Sequence, residues 1–312
     1  MISNIFGKTK PINFIIVSAF LFVLYWIVNL VIFNKSYAPE ELIFQLLVLS
    51  VFIFSLFVVD FILQRNKVTS PNSYGILFYA LLAVVFSETL SDNNALLCSF
   101  FLLLALRRLI SIRSLKNIKP KIFDATLWIL VASLFYEWVV LYLILVFAAI
   151  YIYEPKNIRN WMVPFAGVFA VFMVSYGMMV ITENTDYLIN HYQFNFEFNK
   201  GYFSNWGNNT KLIIYVLSVV FAGVFAFLKL GKAGLGQIVT MRILAFAFVI
   251  GLIVKVLNGA EGSYPIIITF FPAVVFFTNY VEAVKKANIK EIILMASIAI
   301  PFLVFITETA LK

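Results

Sequence analysis

Three places in this chain set polar chemistry inside or beside long apolar runs. Glu88 and Asp92 stand in the segment Ser87-Glu88-Thr89-Leu90-Ser91-Asp92-Asn93-Asn94, in the middle of the apolar region 74–112. A carboxylate at the hydrocarbon centre costs about 2.5–3.5 kcal/mol on insertion scales and less near a helix end, so Glu88, inside a span or at its lip, calls for a use. Asp92 has a structural reading as an N-cap, accepting from orphan backbone N–H groups. That reading leaves Glu88 and the following amides unexplained. Glu88 is therefore a candidate catalytic acid, with Asp92, Asn93 and Asn94 as candidate substrate-binding residues. Glu137, in Tyr136-Glu137-Trp138, is a second candidate acid: a recessed carboxyl there either exchanges a proton with a substrate or holds a helical hairpin together. Lys255, Asn258 and Glu261 recur at i, i+3 and i+6 and drift across one helical face. Either Lys255 snorkels outward to pair with Glu261, or Lys255 offers its positive charge to the anionic head group of a lipid-linked substrate, and Lys255, Asn258 and Glu261 are candidate substrate-binding residues.

The elements that must position these residues are membrane helices. The 312 residues are 63% hydrophobic and 12% charged, with mean hydropathy +0.99, a composition that excludes a soluble globular domain. At roughly twenty apolar residues per crossing, spans fall at about 13–33, 42–63, 160–182, 211–230, 240–257, 264–281 and 291–309. The region 74–112 splits around its polar middle into spans at about 74–90 and 95–112. The first run is too long for a signal-peptide core and no cleavage site follows it, so it reads as a retained span.

The stretch 123–153 is either one tilted helix or two short ones meeting at Tyr136-Glu137-Trp138, and charge separates the two. With two helices, the segments carrying eighteen of the 23 basic residues fall on one side, which the positive-inside rule makes cytoplasmic. With one helix, the two basic C-terminal loops land outside. The expectation is an all-α bundle of about eleven spans forming a single domain over 1–312. Its N-terminus is cytoplasmic and its C-terminus periplasmic, and an aromatic-rich extracytoplasmic loop occupies about 183–211. Within that loop aromatics alternate with polar residues from Tyr192 to Phe198, the pattern of a short strand or of a segment dipping into head groups.

Other function classes fall away. The net charge of +8 lies in short clusters between apolar runs, a topology signal that gives no reason to expect a nucleic-acid partner. A single Cys98 and a single His191 provide no cysteine metal knot, haem pair or histidine-rich iron centre, and no cofactor is expected.

The opening Met1-Ile2-Ser3, then Phe6-Gly7-Lys8-Thr9-Lys10-Pro11-Ile12-Asn13, with Asp92-Asn93-Asn94 and the stretch 130–138, resembles an uncharacterised family of polytopic bacterial inner-membrane proteins. Over 94–153, two pairs of spans, the second pair short, flank a basic segment. That layout is similar to the GT-C class of membrane glycosyltransferases, which use polyprenyl-phosphate sugars. The resemblance implies a first-loop acid, Glu40 or Glu41, as catalytic base and Lys255 as a phosphate contact. The resulting expectation is an envelope-biogenesis protein handling a polyprenyl-phosphate-linked substrate in an outward-facing cavity, with membrane lipids around it. A non-catalytic subunit docked to a membrane-protein partner is the alternative, and a small-solute or ion transporter a further one.

Overall fold

The structure is a computed structural model describing residues 2–184, 186–194, 206–229, 235–259 and 262–310. Among the described residues the regular elements are all helices, and there is no strand. The helices, in chain order, are α1 (Ile2–Phe6), α2 (Pro11–Trp26, continued by a π-helical turn Ile27–Ile32), α3 (Pro39–Arg65), α4 (Tyr74–Val85), α5 (Asn93–Ser111), α6 (Ile118–Ser133), α7 (Leu143–Tyr153), α8 (Ile158–Ile181), α9 (Asp186–His191), α10 (Trp206–Lys229), α11 (Leu235–Leu257), α12 (Phe270–Ala283) and α13 (Ala287–Ala310). Eight helical segments are long and apolar enough to cross a membrane. Helices α4, α6 and α7 are shorter.

Burial grades these helices from centre to rim. In α4 every residue from Tyr74 to Val84 is buried, and most of Pro265–Ala283 is buried too. These two helices form the centre, stitched by Phe78 against Phe277 and by Tyr79 and Phe86 against Phe270. In α8 and α13 few residues are buried, and large apolar side chains such as Phe169 and Leu303 face outward. In lipid such a face needs no polar cover.

Helix α4, at twelve residues, is about 18 Å long, short of a ~30 Å hydrocarbon core. It stops before residue 90, where the sequence pattern would carry it, because its end is unwound by hydroxyls. Thr89 Oγ1 donates to the Phe86 carbonyl at 2.7 Å and Ser91 Oγ to that of Glu88 at 2.8 Å, bonds that compete with the helical ladder and leave a 3-10 turn over Ser87–Ser91. The stretch 123–153 is broken as its charge pattern requires. Helix α6 ends at Ser133 and a 3-10 turn, Glu137–Tyr142, leads into α7. A third 3-10 turn, Pro265–Thr269, precedes α12.

Long-range hydrogen bonds sort the junctions into two ends. At one end Lys35 donates to the Ser91 carbonyl, Asn29 to that of Leu90, and the His191 ring meets that of Ser133. At the other, the Ser73 N–H donates to the Phe6 carbonyl, the Glu291 carboxylate accepts from the backbone of Ile2 and Ser3, Asn72 donates to Glu282, and Gln237 donates to the Lys67 carbonyl. Of the aromatic loop at 183–211, α9 and the start of α10 are helical. Phe196, Phe198, Tyr202 and Phe203, and so most of the alternating stretch, lie outside the described residues.

Candidate functional site

The site is built where α4 and α5 meet. The 3-10 turn Ser87–Ser91 presents Glu88, and one turn later Asp92 begins α5. Glu88 is buried, and its carboxylate accepts twice from the Lys211 ammonium of α10, at 2.9 and 3.1 Å. Lys211 also meets Glu308 near the end of α13 at 2.7 Å and lies over the Phe86 ring at 5.3 Å. Lys211 is only 8% exposed, so its desolvation is offset by two carboxylates and a π-face.

Asp92 is more than a cap. Its Oδ1 accepts from the Ala95 N–H at 3.1 Å, as an N-cap should, while its Oδ2 accepts from the Tyr136 hydroxyl and, at 2.7 Å, from the Tyr264 N–H. One buried carboxylate therefore ties the α4–α5 junction to the α6–α7 break and to the segment before α12. Lys255, also buried, directs its ammonium to the Ser263 carbonyl at 3.5 Å and lies 5.9 Å from the Tyr264 ring centroid, in the field of Glu88 and Asp92. At the rim, Lys35 in the α2–α3 loop donates to the Ser91 carbonyl. Burial lowers the pKa of its ammonium, against the raising effect of Asp92.

Close backbone approach brings α11 to this assembly. A Cβ on Gly251 would lie 2.7 Å from Thr269 Cγ2 and 2.9 Å from the Tyr142 hydroxyl, so the small residue lets α11 seat against two of the 3-10 turns.

The remaining sequence candidates divide. Glu137 is half-buried at the start of its 3-10 turn, next to Tyr136, and its carboxylate makes no hydrogen bond or ion pair among the described residues. Asn93 is half-buried with its Oδ1 lacking a partner among the described residues, and Asn94 is exposed. Asn258 bonds back to the Val254 carbonyl of its own helix at 3.0 Å. Glu261 lies outside the described residues. Glu40 and Glu41 are exposed on the first turn of α3, where Glu41 accepts from the Ala38 N–H at 3.2 Å; neither bonds to the cluster.

Sequence reasoning did not single out Lys211, Glu308, Tyr136, Tyr264 or Lys35 as site residues. For the first two a signal existed, since each is an ionisable side chain at the margin of an apolar run. For the tyrosines the interfacial preference of aromatic rings gave a sufficient alternative account.

A groove of about 270 Å³ opens beside the cluster between α4, α10, α12 and α13. Its walls are apolar, among them Phe78, Leu82, Ile214, Ile300 and Val304, and Lys211 is the one charged residue in its lining. A second hollow of about 640 Å³ continues along the same helices, sharing Phe78, Ser218, Phe277 and Ser297.

Among the described residues no group of three or more His, Cys, Asp or Glu side chains is disposed to hold a metal ion. No protein-family model, no curated protein and no solved structure matches the chain. Fold and composition define a class, a helical protein with the make-up of a multi-pass membrane protein.

Proposed function

We propose that the chain is a multi-pass protein of the bacterial inner membrane, N-terminus cytoplasmic and C-terminus periplasmic, that transfers a glycosyl group from a lipid-linked donor at its outward end. The observation that carries this reading is the apolar groove ending on Lys211, a residue shared with the buried ionic cluster. A polyprenyl or acyl chain suits the groove walls, and a charged head group would then lie level with Lys211 and Lys255. The orientation is supported by the gathering of Arg65, Lys67, Arg107, Arg108, Arg113 and Lys121 at the opposite end, which the positive-inside rule makes cytoplasmic.

In this reading the uncommitted Glu137 is the base. It takes the acceptor hydroxyl proton as the bond from the acceptor oxygen to the anomeric carbon forms. The bond from that carbon to the phosphate oxygen breaks, and its electron pair leaves on the phosphate, beside Lys255. Glu88 and Asp92 position the surrounding turns, and Glu40 and Glu41 take no part. A transfer assay on membranes with a labelled polyprenyl-phosphate sugar tests the proposal. The Glu137→Gln variant should lose about 10²-fold or more in rate, and a pair of groove-filling variants, Ser218→Trp and Ser297→Trp, should raise KM. Wild-type turnover in Glu137→Gln and in Lys255→Gln would end the catalytic reading.

The saturation of Asp92 and Lys211 supports a second reading, a non-catalytic subunit of an envelope complex in which the cluster serves only as a latch. Affinity capture after gentle detergent extraction tests it: a stoichiometric membrane partner supports the latch, and a lone monomer counts against it.

A further inference from the structure

At the end of the bundle away from Glu88 and Lys211, a concavity of about 480 Å³ is walled by the last turns of α3 and α5 and the start of α6. Its lining carries six basic residues, Arg65, Lys67, Arg107, Arg108, Arg113 and Lys121, and no carboxylate. Arg108 pairs with Asp124 at 2.8 Å, outside the lining. The other five make no ion pair among the described residues.

Two general effects account for the sign of these residues. Helix C-termini favour cations, and cytoplasmic segments collect Lys and Arg. Neither accounts for their convergence on one hollow, nor for how they are held there. Arg107 is half-buried with its guanidinium 4.8 Å from the Phe61 ring centroid. Lys121, also half-buried, is fixed by the Ser111 carbonyl at 2.7 Å and the Ser114 hydroxyl at 2.6 Å. Arg113 is pressed against α11, where a Cβ on Gly236 would come within 2.4 Å of its Nε. Cations held by packing cannot spread apart to relieve their repulsion, and Arg108 adds to the field at both Arg107 and Lys121. An anion entering the hollow relieves it.

We propose that this concavity binds a phosphate-bearing polyanion, with Arg107, Arg108 and Lys121 as its inner contacts and Arg65, Lys67 and Arg113 as its rim. Guanidinium forks match phosphate oxygens bidentately, and five cations without a carboxylate partner favour two phosphates over a single carboxylate. Phe61, 45% exposed on the outer face of α3, gives the hollow a lipid-facing flank. The phosphates therefore reach it either as the head group of an anionic lipid or as a soluble diphosphate.

Full-length protein in nanodiscs separates the sources and tests the site. Inorganic pyrophosphate is titrated into phosphatidylcholine discs, and cardiolipin is doped into a second set, with the thermal unfolding midpoint as readout. A saturable, salt-sensitive rise with pyrophosphate supports the site with a soluble source, and a rise with cardiolipin alone supports it with a lipid source. In either case Arg107→Gln with Lys121→Gln should weaken the effective probe by roughly tenfold or more. Lys116→Gln with Lys119→Gln, exposed residues of the same basic segment outside the lining, should leave it unchanged. If the inner pair does not fold, the exposed rim pair Arg65→Gln with Lys67→Gln gives the same test with a smaller loss. The proposal is overturned if neither probe shifts the midpoint, or if the Lys116 and Lys119 substitutions weaken binding as much as those in the lining.

Discussion

At the end that holds Glu88, the buried charges find partners within the protein: Lys211 sits between two carboxylates, Asp92 accepts from three donors, and Lys255 faces a backbone carbonyl. At the opposite end six basic side chains turn toward one hollow, and Asp124 is the sole carboxylate paired with any of them among the described residues. The two ends differ in burial, and burial sets what each needs. A charge removed from solvent requires an internal partner at once, whereas a half-exposed charge is carried by water or by a ligand. At the first end Glu88, Asp92 and Lys211 are thus committed to holding helices together, and Glu137 is left uncommitted. The second is left with charge to spend on something outside the chain.

That contrast can be broken by experiment, and the largest effect belongs to Lys211. Replacing it with Met leaves Glu88 buried without a counter-charge, and a loss of about 3–5 kcal/mol is expected, read as a collapse of the unfolding midpoint in detergent. The double variant Glu88→Met with Lys211→Met should recover much of that loss; if it does not, the pair is not the reason for the loss. Next comes Asp92→Ala, which removes a cap and the shared acceptor of the Tyr136 hydroxyl and the Tyr264 N–H. About 2–3 kcal/mol is expected, with the same measurement, and a neutral outcome would mean that the junctions are joined by packing alone. Gly251→Ala forces a methyl group onto Thr269 and Tyr142, with about 1–2 kcal/mol lost as α11 shifts off the 3-10 turns.

Smaller effects sharpen the comparison. Lys35 lies outside the spans, and its ammonium pKa is lowered in the folded state, first by burial. Between that lowered value and the ordinary one the unfolded chain binds more protons, so stability should rise with pH across this alkaline window. Lys35→Met should flatten that rise in an unfolding series. At the opposite end Arg65→Gln with Lys67→Gln, tested without phosphate, should change stability by no more than about 0.5 kcal/mol. A large loss there would show that the hollow is structural after all.

The sequence reads clearly wherever lipid dictates the answer. Apolar runs of some twenty residues read as helices because in hydrocarbon only a helix satisfies the backbone within a single segment, and the break near Tyr136 was legible because the basic segments fall on one side only if it exists. Glu88 and Asp92 stood out for the same reason, as carboxylates in apolar surroundings. The pairing of Lys211 was not legible, because its partner Glu88 is 123 positions away, and Tyr264 meets Asp92 across 172. No periodicity encodes such distances. Helical class, the location of the polar junctions and the sign of charge along the chain could all be read from residue order. Which charges are paired was set by folding, which brings three distant junctions to one end, buries them there, and leaves the cations of the other end facing an open hollow.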